Sequence, residues 1–171
     1  MTVIVGLDLS LTSAGVAALP MNWDCDPSRV RVETVKHCHP EHANDDDRGQ
    51  RLATHARRVL AVARALAGQE PICWGIESLP THNAHALVPL AELAGAVRML
   101  LSDAGARVLT VPQASARKLL LGKLPRKDVK EIVRQTVVSF AGCGHWQPDE
   151  VDAFVVANWL ASECGGVALA A

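Results

Sequence analysis

The sequence predicts an α/β fold built on a mixed five-stranded sheet, an antiparallel meander continued by parallel strands and flanked by helices. Three observations predict it. Residues 3–37 hold three strand-like segments in succession with no helical pattern between them. Two further short apolar strands each follow a long helical pattern, an order that favours parallel neighbours and right-handed crossovers. Everything after the fifth strand reads as helix.

Residues 3–8 end at Asp8 and alternate so that Ile4, Gly6 and Asp8 share one face of a strand. The small and hydroxyl residues after Asp8 supply a turn, and residues 15–20 return as a second strand. Residues 29–37 (RVRVETVKH) alternate with charged outward positions, which suits a sheet edge. Asp45, Asp46 and Asp47 precede a helix over about 48–67, where acidic groups complement the helix dipole. Leu52, Ala56, Val59, Ala63 and Leu66 form its buried stripe. PICWGIES is the fourth strand, with Cys73, Gly75 and Glu77 on one face. A polar loop over 79–85 leads into a helix over about 85–103, and ARVLTV (106–111) is the fifth strand. Pro112 suits the first turn of the next helix. Further helices are expected over about 126–140 and from Pro148 onward. No repeat or linker divides the chain, so residues 1–171 are expected to form a single domain.

Composition excludes several classes. A hydrophobic fraction of 49% supports a packed core and argues against disorder. No apolar run reaches the ~20 residues of a membrane span, and the start lacks the pattern of a secretory signal. A cytoplasmic location without membrane contact is the expectation. The five cysteines form no CxxC pair, as expected of reduced thiols. His37, Cys38, His39 and His42, with Cys25 upstream, match no structural zinc spacing.

Four carboxylates stand out: Asp8 and Glu77, each ending an apolar strand, and Asp149 and Asp152, at i and i+3 of the closing helix. A carboxylate at the end of a buried strand is costly without a cation or proton, and hard divalent ions favour oxygen ligands. The four together point to metal-assisted phosphodiester chemistry. Glu150 points away from the Asp149–Asp152 face. Capping and dipole roles account for single members of the set but not for Glu77 on so apolar a strand.

Net charge is only −1, yet residues 98–134 carry nine Lys/Arg against three Asp/Glu. That asymmetry suits a polyanion held beside a metal site. Lys118, Lys123, Arg126, Lys127 and Lys130 supply most of it. Arg48, Arg51, His55 and Arg58 recur at helical spacing as a second basic stripe, readable as a phosphate grip or as a solvated helix side.

GLDLSLTSAGVA, GIES, DEVDA and the segment LAELAGAVRMLLSDAGARVLTVPQASARKLLLGK resemble the RuvC family of Holliday junction resolvases, within the ribonuclease H-like superfold. The similarity spans Val3 to about Ala161. It implies an endonuclease acting on branched DNA as a homodimer, leaving 5′-phosphates. Asp8, Glu77, Asp149 and Asp152 would hold two Mg²⁺ ions, with Mn²⁺ substituting. The family also places a functional cation near the start of the helix after the last strand, which falls on Lys127 or Arg126. Where relatives carry a stacking aromatic after the second carboxylate, this chain has Leu79, Pro80, Thr81, His82, Asn83 and His85; His82 or Leu79 is the substitute candidate for wedging or stacking in DNA. The apolar breadth of helix 85–103 suggests a dimer face. Rival readings are a nuclease for RNA–DNA hybrids or flaps, a nucleotide-binding ATPase or sugar kinase, and a non-catalytic DNA-binding protein of the same fold.

Overall fold

In the computed structural model, residues 1–37, 47–79, 84–142 and 145–165 are described, with residues 84–86 described as helical backbone alone. Strand β1 (Val3–Asp8) pairs antiparallel with β2 (Ser13–Pro20), placing Asp8 opposite Gly15, and β2 pairs antiparallel with β3 (Arg31–Lys36). On its other side β1 runs parallel to β4 (Ile72–Glu77), with Leu7 opposite Ile76. Next comes β5 (Val108–Val111), parallel to β4 with Glu77 opposite Val111. The sheet order is β3-β2-β1-β4-β5, the expected mixed sheet.

Helices α1 (Arg48–Ala67) and α2 (Ala84–Asp103) cover one face, against Val3, Val5 and Leu7. Helices α3 (Gln113–Leu121), α4 (Val129–Ala141) and α5 (Pro148–Glu163) cover the other, against Ile4, Ala17 and Leu19. The period-two alternation of β1 therefore puts Asp8 on the α5 side, with Ile4 and Gly6. In β4 the same alternation aligns Glu77 with Gly75, whose neighbours include Val156 and Leu160 of α5. Among the described residues no helix is long and apolar enough to cross a membrane.

Helix α5 lies almost on the sheet backbone. A Cβ added at Gly6 would sit 2.3 Å from the Ala153 carbonyl oxygen, and one at Gly15 would sit 1.8 Å from that of Asp149. Ala153 and Ala157 keep the facing side of the helix equally small. A capping box starts the helix: the Gln147 backbone N–H donates to Glu150 Oε2 at 2.8 Å, and the Gln147 side chain accepts from the Glu150 backbone in return. Trp23, fully buried, packs edge-on against Phe140 and Phe154 at 5.6 and 5.7 Å, tying the β2–β3 connection to α4 and α5.

Several expectations are corrected. The third strand starts at Arg31 because residues 27–29 form a 3₁₀ turn capped by Asp26. The helix expected from 126 starts at Val129, since Asp128 adopts a left-handed conformation (φ 56°) that breaks the helical path. Arg126 and Lys127 therefore lie in the α3–α4 loop. His55 does not belong to an exposed basic stripe: it is buried, with its ring 4.7 Å from that of His37. On α2 the buried positions are Leu93, Ala94, Val97 and Leu101, whereas Ala91 is exposed.

Candidate active site

Asp8 leaves the carboxyl end of β1 and Glu77 the carboxyl end of the adjacent parallel strand β4, so the sheet register sets the two side by side. Their carboxyl groups share a hydrogen bond. Burial raises the Asp8 carboxyl well above the usual carboxylate range; the hydrogen bond with Glu77 and the charges of Glu77, Asp152 and Asp149 push it the same way. All four carboxylates thus act on one point, from the first strand, the fourth strand and the first turn of α5.

The close seat of α5 on Gly6 and Gly15 brings its first turn over the β1–β2 end of the sheet. The Ser13 hydroxyl, at the start of β2, donates to Asp149 Oδ2. Asp152 Oδ1 accepts from Arg117 Nη2 at 3.3 Å, across from α3. Glu150 instead serves the capping box and accepts from Thr34 Oγ1 at 3.2 Å, turned toward β3. Two partners of the carboxylates, Ser13 and Arg117, escape the sequence reading. Arg117 is only 8% exposed, while its neighbour Lys118 faces solvent. The signal available for it was the apolar spacing Ala116, Leu120 on α3, which turns position 117 toward the packed side.

On the opposite face, His55 Nε2 lies 3.3 Å from the Ser10 carbonyl oxygen and so donates to the turn that follows Asp8. Burial pushes its imidazole below the usual histidine range, with the neighbouring His37 adding to the effect. A neutral ring with its proton on Nε2 fits both observations.

The donor set suits a hard divalent cation. It is all oxygen and acidic, and burial and repulsion push its central carboxyl above the usual carboxylate range, a cost that a bound cation would offset. Among the described residues no three His, Cys, Asp or Glu side chains stand at metal-binding spacing.

Of the basic residues, Lys118, Lys123, Arg126, Lys127 and Lys130 are all exposed along α3, the α3–α4 loop and the start of α4. Arg48 bonds Glu92 of α2 at 2.6 Å and Arg51 is half-buried on the same helix. His82 lies outside the described residues, as do Cys38, His39, His42 and Cys143.

No family model matches the sequence, and comparison with curated proteins finds no match. Solved structures do match. Thermus thermophilus RuvC in complex with Holliday junction substrate superposes with a TM-score of 0.67 at 19% identity, over 96% of this chain and 94% of that one. A second structure of Thermus thermophilus RuvC gives the same score and identity over 95% and 96%. The yeast mitochondrial Holliday junction resolvase Ydc2 gives 0.63 at 11% identity, over 95% of this chain and 78% of that one. At such identities the shared property is the fold.

Proposed function

From a chain that has the fold of the RuvC resolvases, we propose a divalent-metal-dependent endonuclease that resolves Holliday junctions or related branched DNA by paired phosphodiester hydrolysis, leaving 5′-phosphates. The observation that carries the proposal is the approach of four carboxylates from distant segments, Asp8 and Glu77 at the ends of adjacent strands and Asp149 and Asp152 on the helix seated over Gly6 and Gly15. A binding protein gains nothing from such mutual repulsion, whereas a cation-dependent hydrolase requires it.

Asp8, Glu77, Asp149 and Asp152 would hold the cations, Mg²⁺ in this proposal with Mn²⁺ able to substitute. Bound there, two such ions supply charge for lowering the pKa of water and for stabilising the departing 3′ oxygen. The protein's own groups do the rest. Asp8, most central, would be the first of the groups that hold the ions. Glu77, beside Asp8, would orient the attacking water. Ser13 fixes the rotamer of Asp149, and Arg117 holds Asp152 while adding positive charge beside the scissile phosphate. Lys127 or Arg126, free in the α3–α4 loop, reaches toward the DNA backbone, with Lys118, Lys123 and Lys130 extending the grip. The Arg48–Glu92 ion pair is exposed, so Arg48 can exchange its partner for a phosphate, as can Arg51 nearby.

Paired cuts need two sites. Helix α2 supports a homodimer: Val88 (58% exposed) and Met99 (61%) stand on its outer side with the small exposed residues Ala91 and Gly95 at helical spacing between them. The proposed setting is the cytoplasm, of a host cell if the protein is phage-encoded.

The test is cleavage of a labelled four-way DNA junction beside linear duplex and RNA–DNA hybrid, with Mg²⁺ and with EDTA. Symmetric Mg²⁺-dependent nicks in the junction alone support the proposal. Preferential cutting of the hybrid, or no cutting of any substrate, rejects it.

A further inference from the structure

Two thiols outside the carboxylate site face each other. Cys73 of β4 and Cys164, the residue that caps the carboxyl end of α5, bring their sulfur atoms to 3.3 Å although 91 residues separate them in the chain. Both are half-buried and reduced. Cys73 shares the α5-facing side of its strand with Gly75, and Cys164 is fixed by a backbone bond from its N–H to the Leu160 carbonyl at 3.0 Å. An open cleft of about 580 Å³, lined in part by Met21, Asp24, Cys164 and Gly165, gives solvent access to the Cys164 side.

We propose that Cys73 and Cys164 are an oxidisable dithiol that closes an intramolecular disulfide and staples the end of α5 to β4. The sulfurs need to approach by little more than 1 Å to reach bonding distance. With hydrogen peroxide as oxidant, Cys164, reached through the cleft, attacks one peroxide oxygen, giving a sulfenic acid and water. The Cys73 sulfur then displaces the sulfenic oxygen as a second water. In total, two thiols and one peroxide become one disulfide and two waters. A low-molecular-weight disulfide such as oxidised glutathione reaches the same product by exchange and leaves two reduced thiols. Burial and the neighbouring Cys164 thiol push Cys73 up to about 11, so Cys73 suits the resolving role better than the attacking one. The staple joins the strand that carries Glu77 to the helix that carries Asp149 and Asp152, at the end remote from those carboxylates.

This inference is independent of the nuclease proposal, and so is its test. Full-length protein is treated with hydrogen peroxide or oxidised glutathione, quenched by alkylation, and followed by intact mass, peptide mapping and thermal unfolding. The expected product is a monomer that has lost two hydrogens, with Cys73 linked to Cys164. Its Tm is raised by about 5–10 °C, because the staple closes a long loop, and dithiothreitol reverses the rise. C73S and C164S lose both the cross-link and the rise. Sulfinic acid or mixed disulfides without the cross-link, linkage through Cys25, Cys38 or Cys143, or a cross-link with no rise in Tm would each overturn the proposal.

Discussion

Gly15→Ala tests whether the seat of α5 on the sheet sets the candidate site. The new Cβ would sit 1.8 Å from the Asp149 carbonyl oxygen, where ordinary contact begins near 3.4 Å, so about 1.6 Å of separation must be found. Strand β2 cannot supply it. Gly15 is paired with Asp8 on one side and with Thr34 on the other. The helix must move, and its buried half, from Val151 through Leu160, resists translation. The first turn therefore lifts, carrying Asp149 and Asp152 away from Asp8. Misplacement of reacting groups by ~1 Å costs on the order of 100-fold in rate, and overpacking of this kind costs ~1–3 kcal/mol in stability. Single-turnover junction cleavage in saturating Mg²⁺, read beside urea unfolding, should show G15A at least about 100-fold slower while still folded. G75A is the control. Its contacts are side-chain atoms alone, Leu160 Cδ2 at 3.0 Å, Val111 Cγ2 at 3.2 Å and Val156 Cγ1 at 3.3 Å, so its cleavage rate should fall far less than that of G15A. G15A cutting as fast as G75A, with unchanged stability, would refute the argument.

Asp8→Asn should abolish cleavage yet leave junction binding largely intact in a gel-shift assay, because exposed lysines and arginines supply the grip. The same variant carries a pH prediction. The Asp8 carboxyl is raised in the folded protein above its ordinary 3.8, so its ionisation destabilises the metal-free fold as pH rises above that value. In EDTA, D8N should be the more heat-stable protein at pH 8, the advantage should shrink on acidification toward pH 4, and Mg²⁺ should raise the Tm of the parent alone; equal Tm values at all pH would count against it. Arg117→Ala leaves Asp152 without its 3.3 Å partner and should lose ~1–3 kcal/mol by urea unfolding, with Arg117→Lys recovering part. A change under ~0.5 kcal/mol would show that the pair adds little. Lys127→Ala should weaken junction binding and lower the slope of log K against log salt by about 0.9, the contribution of one phosphate contact; an unchanged slope would remove Lys127 from the interface.

The sheet was legible because its strands are short, apolar and regularly alternating, and because Asp8 and Glu77 end theirs so abruptly. The i, i+3 spacing of Asp149 and Asp152 likewise reads directly as one side of a helix turn. What escaped depended on which side of an element faces inward. Arg117 and Lys118 are adjacent cations of equal standing in the sequence, and only the packing of Ala116 and Leu120 separates the buried one from the exposed one. His55 shares the spacing of Arg51 and Arg58, but an imidazole can be buried neutral where a guanidinium cannot. Trp23 sits among Asp24, Cys25 and Asp26 in a turn-like stretch, with no periodicity to mark it as the centre of an aromatic cluster. Asp128 broke a helix that propensity alone would have carried back to Arg126.

The order in which the chain is synthesised gives the arrangement one more consequence. Asp8 emerges from the ribosome in the first strand, whereas Asp149 and Asp152 arrive with α5, after all five strands. Domains assemble as synthesis proceeds, at ~5–20 residues per second, so for several seconds the nascent sheet carries Asp8 and Glu77 without the two carboxylates opposite. A prematurely terminated product lacking α5 would keep half of an acidic cluster and expose the Gly6–Gly15 backbone that the helix covers. Such fragments would be sticky but chemically silent. On the proposed reading, the capacity to cut nucleic acid is thereby withheld until α5 has been made.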